Sequence, residues 1–98
     1  MFDGEKYITS GITKTIPLYL QNVLWYLIEN MPEGKSYLQV FELSELVEDG
    51  CIKQKIKHIQ ENPEYVSENT FSVRNPINAK IYVIDDCSCC TMLLAEEY

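Results

Sequence analysis

The stretch from Leu18 to Met31 limits what this chain can fold into more than any other segment, because it is apolar around most of its circumference. A Thr cap at Thr15 with Ile16-Pro17 behind it is a helix-start signal, and Pro32 with Gly34 ends the pattern. At about 100° per residue, Ile16, Leu20, Val23, Leu24, Leu27, Ile28 and Met31 fall on one broad face. That face belongs on a sheet. Leu18 and Trp25 lie together near the opposite side, beside Gln21, and Tyr19 and Tyr26 form a third strip. Only Asn22, Glu29 and Asn30 are plainly solvent-facing. A helix so apolar is usually covered on more than one side.

Strand patterns supply the sheet. Lys6–Ser10 reads as a short strand ended at Gly11. Tyr37–Leu43 is the clearest strand, with Tyr37, Phe41 and Leu43 sharing one face with Gln39, and Leu38 and Val40 on the other. Apolar content on both faces suits a central strand. Ser44–Gly50 reads as an acidic connection ending in an Asp-Gly turn signal. Ile52–Gln60 fits a helix through Ile52, Ile56 and Ile59, and a strand through its alternating lysines. A hairpin partner for Tyr37–Leu43 is needed, which favours the strand. Asn62-Pro63 and Asn75-Pro76 bracket a loop holding a short strand at Thr70–Val73. Ala79–Asp85 and Cys90–Ala95 are two more strands, with a turn between them. The expected class is α+β: one amphipathic helix packed on an antiparallel β-sheet of about five to six strands, in a single domain spanning 1–98.

The chain has 98 residues, of which 46% are hydrophobic, and carries a formal charge of −7. One core fits that length, with a folded surface of roughly 5,800 Å². No apolar run reaches the roughly 18 residues of a membrane span, and the first residues lack an export pattern. The expectation is a reduced, cytoplasmic, acidic protein that engages neither nucleic acid nor membrane.

Tyr-Leu-Gln-Val-Phe-Glu-Leu at 37–43, Ile-Pro-Leu-Tyr-Leu-Gln at 16–21 and the closing Val-Ile-Asp-Asp…Thr-Met-Leu-Leu-Ala-Glu-Glu-Tyr carry a resemblance. With Tyr7–Gly11 and His58–Tyr65 they make the chain similar, almost end to end, to the domain-of-unknown-function family numbered nine hundred and sixty. Those are small cytoplasmic proteins of Gram-positive bacteria and their phages. The resemblance implies a small α+β domain, no known activity and no catalytic residues to transfer. The family pattern commonly has Gly after the Asp-Asp pair, where this chain has Cys87. If that turn requires φ > 0, Cys87 is strained there or the turn differs.

Few side chains suggest chemistry. Cys87, Cys89 and Cys90 form the one eye-catching cluster, but neighbours in a strand point to opposite faces and no Cys-x-x-Cys pair exists. Asp85 and Asp86 beside them disfavour a thiolate. His58, the only histidine, reads as a packed residue and has no nucleophile elbow to serve. Asp85-Asp86 and Glu96-Glu97 read as turn and tail residues. Lys53, Lys55 and Lys57 read as a solvated strand face. No catalytic residue, cofactor or metal is therefore assigned. The leading expectation is a non-enzymatic protein-interaction module that binds an unidentified protein or itself as a homodimer, through Leu18, Tyr19, Trp25 and Tyr26. The alternative is a thiol or metal-binding protein using Cys87, Cys89 and Cys90. An enzyme with an unrecognised pocket and an acidic decoy for a DNA-binding protein are further readings.

Overall fold

A computed structural model describes all 98 residues. The elements run β1 (Glu5–Ile8), α1 (Ser10–Thr15), α2 (Leu18–Glu29), β2 (Leu38–Glu48), β3 (Cys51–Gln60), β4 (Tyr65–Ser72), β5 (Ala79–Asp85) and β6 (Cys89–Leu94), followed by a 3₁₀ turn at Ala95–Glu97. The six strands form one sheet in the order β1-β6-β5-β2-β3-β4. The fold is α+β, and its accessible surface of 5987 Å² is close to the expected one.

Four expectations are corrected. The short strand expected at Thr70–Val73 is the end of a longer one, β4 at Tyr65–Ser72, which pairs antiparallel with β3 from Gln60 to Lys53. The sheet is mixed, because β1 pairs parallel with β6, Glu5 beside Cys89 and Ile8 beside Met92. A second, short helix precedes the long one. Thr9 rather than Thr15 is the capping threonine: its hydroxyl accepts the Ile12 N–H and opens α1, while Pro17 sits at the start of α2. The acidic Ser44–Glu48 segment is the second half of β2, which pairs with β3 as far as Glu48 and Cys51. Asp49 and Gly50 both have positive φ, 53° and 78°, which suits the two-residue turn that matches strand twist.

The remaining segments follow the hydrophobic pattern. Ala79–Asp85 is β5, with Ile81 and Val83 turned to the core and Tyr82 and Ile84 to the other side. The β3 segment is a strand, its Gln54, Ile56, His58 and Gln60 buried and its lysines half-exposed. Leu20, Leu24 and Ile28 of α2 meet Phe41, Leu43, Ile56, Ile81, Val83 and Met92 in the core. Burying such a side chain stabilises the fold by about 1.5–3 kcal/mol each.

The chain's last residues fasten its first helix. Glu97 accepts the Thr9 hydroxyl at 2.6 Å and the Leu94 and Gly11 N–H groups at 2.8 and 3.2 Å. These bonds hold its carboxyl below the usual range, the Thr9 hydroxyl contributing most. A Cβ at Gly11 would stand 2.6 Å from that carboxylate, which would have to shift away from the Gly11 N–H.

Between β5 and β6, Asp86 Oδ1 accepts the Ser88 and Cys89 N–H groups at 3.2 and 2.9 Å, and Asp85 accepts the Cys87 N–H. Cys87 has φ +84°, so the turn does demand the conformation that a β-carbon disfavours. Cys87→Gly is expected to raise stability by about 0.5–1 kcal/mol after the added freedom of the unfolded chain is counted. Cys87→Val should lower it. Thermal unfolding checks both, and equal midpoints for the two variants would show an unstrained turn.

Candidate interaction surface

The α2 helix sorts its residues by the arc they occupy. Leu20, Gln21, Leu24 and Ile28 are buried, whereas Val23, Trp25 and Leu27 on the flanks are half-buried. Leu18, Tyr19, Asn22, Tyr26 and Glu29 share the outer arc, and Leu18, Tyr19 and Tyr26 are 69%, 48% and 62% exposed. The structure therefore regroups the four expected surface residues. Leu18, Tyr19 and Tyr26 form one open stripe around Asn22. Trp25 leans away from it, packed against the core with the Lys6 ammonium 5.7 Å from its ring centre. Lys6 also reaches Glu29 at 3.8 Å. Gln21 is not beside an open strip: it is buried and donates to the Ile16 carbonyl at 2.8 Å. Tyr19 also borders a cleft of about 340 Å³ with Pro17, Val73, Arg74, Asn75 and Ile77.

A second surface escaped the sequence reading. The helices cover one face of the sheet, and the opposite face carries an ordered set of rows. Leu93, Tyr82, Val40, Ile59 and Val66 stand side by side across β6, β5, β2, β3 and β4. Next to them along the strands come Thr91, Ile84 and Leu38, and on the other side Lys80, Glu42, Lys57 and Glu68. Leu93 is buried, Val66 is 52% exposed and the others in the apolar row are half-buried. Tyr98 adds its ring edge-on to Tyr82 at 5.6 Å. The signal was present in the apolar residues on both sides of β2 and β5.

The thiols do not converge. Cys87 is exposed, Cys89 donates to the Asp86 carboxylate at 3.3 Å, and Cys90 is buried with its sulfur 3.6 Å from the Glu5 carbonyl. Donation to the Asp86 carboxylate pushes the Cys89 thiol up, and burial pushes Cys90 up. Both shifts work against a reactive thiolate. No group of three His, Cys, Asp or Glu side chains stands placed to hold a metal ion.

His58 is wholly buried, stacked on Phe41 at 4.3 Å with Tyr65 edge-on. Its protonation follows from its neighbours. Gln60 Nε2 donates to the Gly34 and Pro63 carbonyls, so its Oε1 accepts, from the Ser36 N–H and from Gln39 Nε2. Gln39 Oε1 is thereby left as acceptor and faces His58 Nε2 at 2.8 Å. His58 must donate from Nε2, and its Nδ1 is a buried acceptor with no partner. A proton on Nδ1 would be a buried charge with nothing to receive it, and burial lowers the pKa to about 4. This is a structural histidine.

Residues 5–97 match the model of a family described as a Staphylococcal protein of unknown function, DUF960. A solved structure of a protein of unknown function from Enterococcus faecalis shares the fold, with TM-score 0.76 and 24% identity over 98% of this chain and 92% of that one. None of the curated proteins matches.

The His58 geometry sets a pH dependence. The folded pKa lies below the unfolded value, so between pH 6.5 and about 4 the unfolded chain binds the extra proton. Stability contributed by the neutral ring is complete above pH 6.5 and falls as pH drops through that window. Wild type is expected to lose about 2 kcal/mol more than His58→Phe between pH 7 and 4.5, read from urea unfolding. Parallel losses in the two proteins would rule out this role for the ring.

Proposed function

The chain belongs to the DUF960 family, and from that premise we propose that it is a small non-catalytic protein-interaction module. One observation carries the reading: apolar side chains stand open on both layers of the fold, while the polar groups that could do chemistry are tied into the scaffold. Gln39 links Gln60 to His58 by hydrogen bonds that leave only His58 Nδ1 without a partner, Gln54 holds the 73–78 loop, and Glu97 holds α1. An open apolar surface of this kind calls for a partner.

The stripe of Leu18, Tyr19 and Tyr26 fits a protein segment that lays down apolar side chains. The neighbouring cleft, with Arg74 at its border, suits a carboxylate at one end of that segment. Tyrosines are effective in such contacts because they carry large area with little rotamer freedom to lose. The thiol alternative has less behind it, since its sulfurs diverge and two of them are held as thiols.

The test is site-directed photo-crosslinking in extracts of the source cells. A crosslinker at Tyr26 should give a discrete adduct that one at Glu33, off the stripe, does not. Leu18→Glu should abolish the adduct while leaving the circular dichroism spectrum unchanged. Trp25, the only tryptophan, flanks the stripe and should shift its emission on binding. An adduct untouched by Leu18→Glu, or none from Tyr26, would overturn the assignment of the stripe.

A further inference from the structure

The open face of the sheet is ordered by charge as well as by hydrophobicity. Its charged row reads Lys80 on β5, Glu42 on β2, Lys57 on β3 and Glu68 on β4, alternating in sign across four strands. The next residues along β3, Lys55 and Lys53, pair with Glu68 at 3.7 Å and Glu48 at 3.0 Å. On β2–β5 this face gathers Lys53, Lys55, Lys57 and Lys80 against Glu42, Glu48 and Glu68. It is slightly positive in a chain whose formal charge is −7.

An alternating row has a property that a uniform one lacks: reversed end to end, it is its own complement. A two-fold axis running along the strands, between β2 and β3, reverses each row and keeps its height along the strand. It sets Glu42 opposite Lys57 of a second copy and Lys80 opposite that copy's Glu68. The same operation lays Val40 over Ile59 and Tyr82 over Val66, so the apolar row meets itself as well. We infer that the open sheet face binds a second copy of this chain, forming a two-fold dimer in which two sheets pack face to face with the helices outside.

Size and charge agree with this occupant. Strands are about 4.8 Å apart and residues about 3.4 Å along them, so the four strands that overlap about this axis, β5, β2, β3 and β4, present about 460 Å² on each copy over seven residues. Two such faces together cover about 900 Å², the size of a weak, concentration-dependent association. Aligned sheets cross at about 30°, which an axis tilted slightly from the strands provides. The acidic remainder of each copy stays on the outside, and the least self-repelling face is the one brought together. The proposal concerns a different surface from the α2 stripe and stands or falls apart from it.

A charge exchange tests the geometry. In the dimer, Glu42→Lys sets two like pairs against each other across the axis, and Lys57→Glu does the same with the opposite sign. Each variant alone should dimerise at least about tenfold more weakly than wild type in sedimentation equilibrium, as expected for like charges brought face to face. Mixed in equal amounts, each substituted position faces the opposite charge, and a one-to-one heterodimer of near wild-type affinity should form. Any strain a reversal causes within its own chain is the same alone and in the mixture, so recovery reads the contact between copies. Leu18→Glu on α2 should leave dimerisation unchanged. A wild type that stays monomeric to millimolar concentration, or variants that fail to recover on mixing, would overturn the proposal.

Discussion

The helix layer is smaller than the sheet it covers, and much of the architecture answers that mismatch. Twelve residues of α2 reach about 18 Å, while six strands span about 24 Å between the outer two. The helix covers Phe41, Ile81, Val83 and Met92, but the β3 side needs another cover. Two loops supply it, and each is held by a buried glutamine on β3. Gln54 donates to the Ile77 carbonyl and accepts the Ile77 N–H, fixing the 73–78 loop so that Ile77 packs on the core. Gln60 grips Gly34, Ser36 and Pro63, fixing the segment after α2. A buried amide left without partners would cost about 1–3 kcal/mol, so each glutamine works only when its loop is in place.

That arrangement explains why the polar interior is structural. The residues a chemist would notice first, His58 and its two glutamines, lie under the loop cover, locked in a network with one orientation for each group. His58 retains one nitrogen without a partner while its ring stacks on Phe41, meets Tyr65 edge-on and donates to Gln39 from the other nitrogen. The apolar surfaces left open are an outer stripe on the helix and one face of the sheet.

The parts legible in the sequence were those fixed by local periodicity. The inward arc of α2, the whole of β5 and the Asp-Gly turn follow from spacing alone, whereas Ile52–Gln60 fits helix and strand alike and only the need for a hairpin partner singles out the strand. The positive φ at Cys87 was legible through the family pattern. The parallel partnership of β1 and β6 was not, because it joins residues more than eighty positions apart and leaves no mark on either strand. α1 was missed because six residues are too few to show a period, and its capping Thr9 sits behind a strand pattern. The open face of the sheet was missed for a subtler reason. Leu38 and Val40 opposite Phe41 and Leu43 signal a strand apolar on both sides, and a sequence does not say whether a second layer exists to cover the far one.

The β2–β3 hairpin runs past the edge of this cover, where Val47 and Ile52 face the helix side with 59% and 43% of their surfaces in water. Its outer rungs hold by ladder bonds and one Lys53–Glu48 pair, whereas the rungs at Phe41 and Ile56 are enclosed. Amide protons should therefore escape from the tip inward, the ribbon unzipping and closing many times for each global unfolding. The molecule thus joins a rigid base to a pliant arm within one continuous pair of strands.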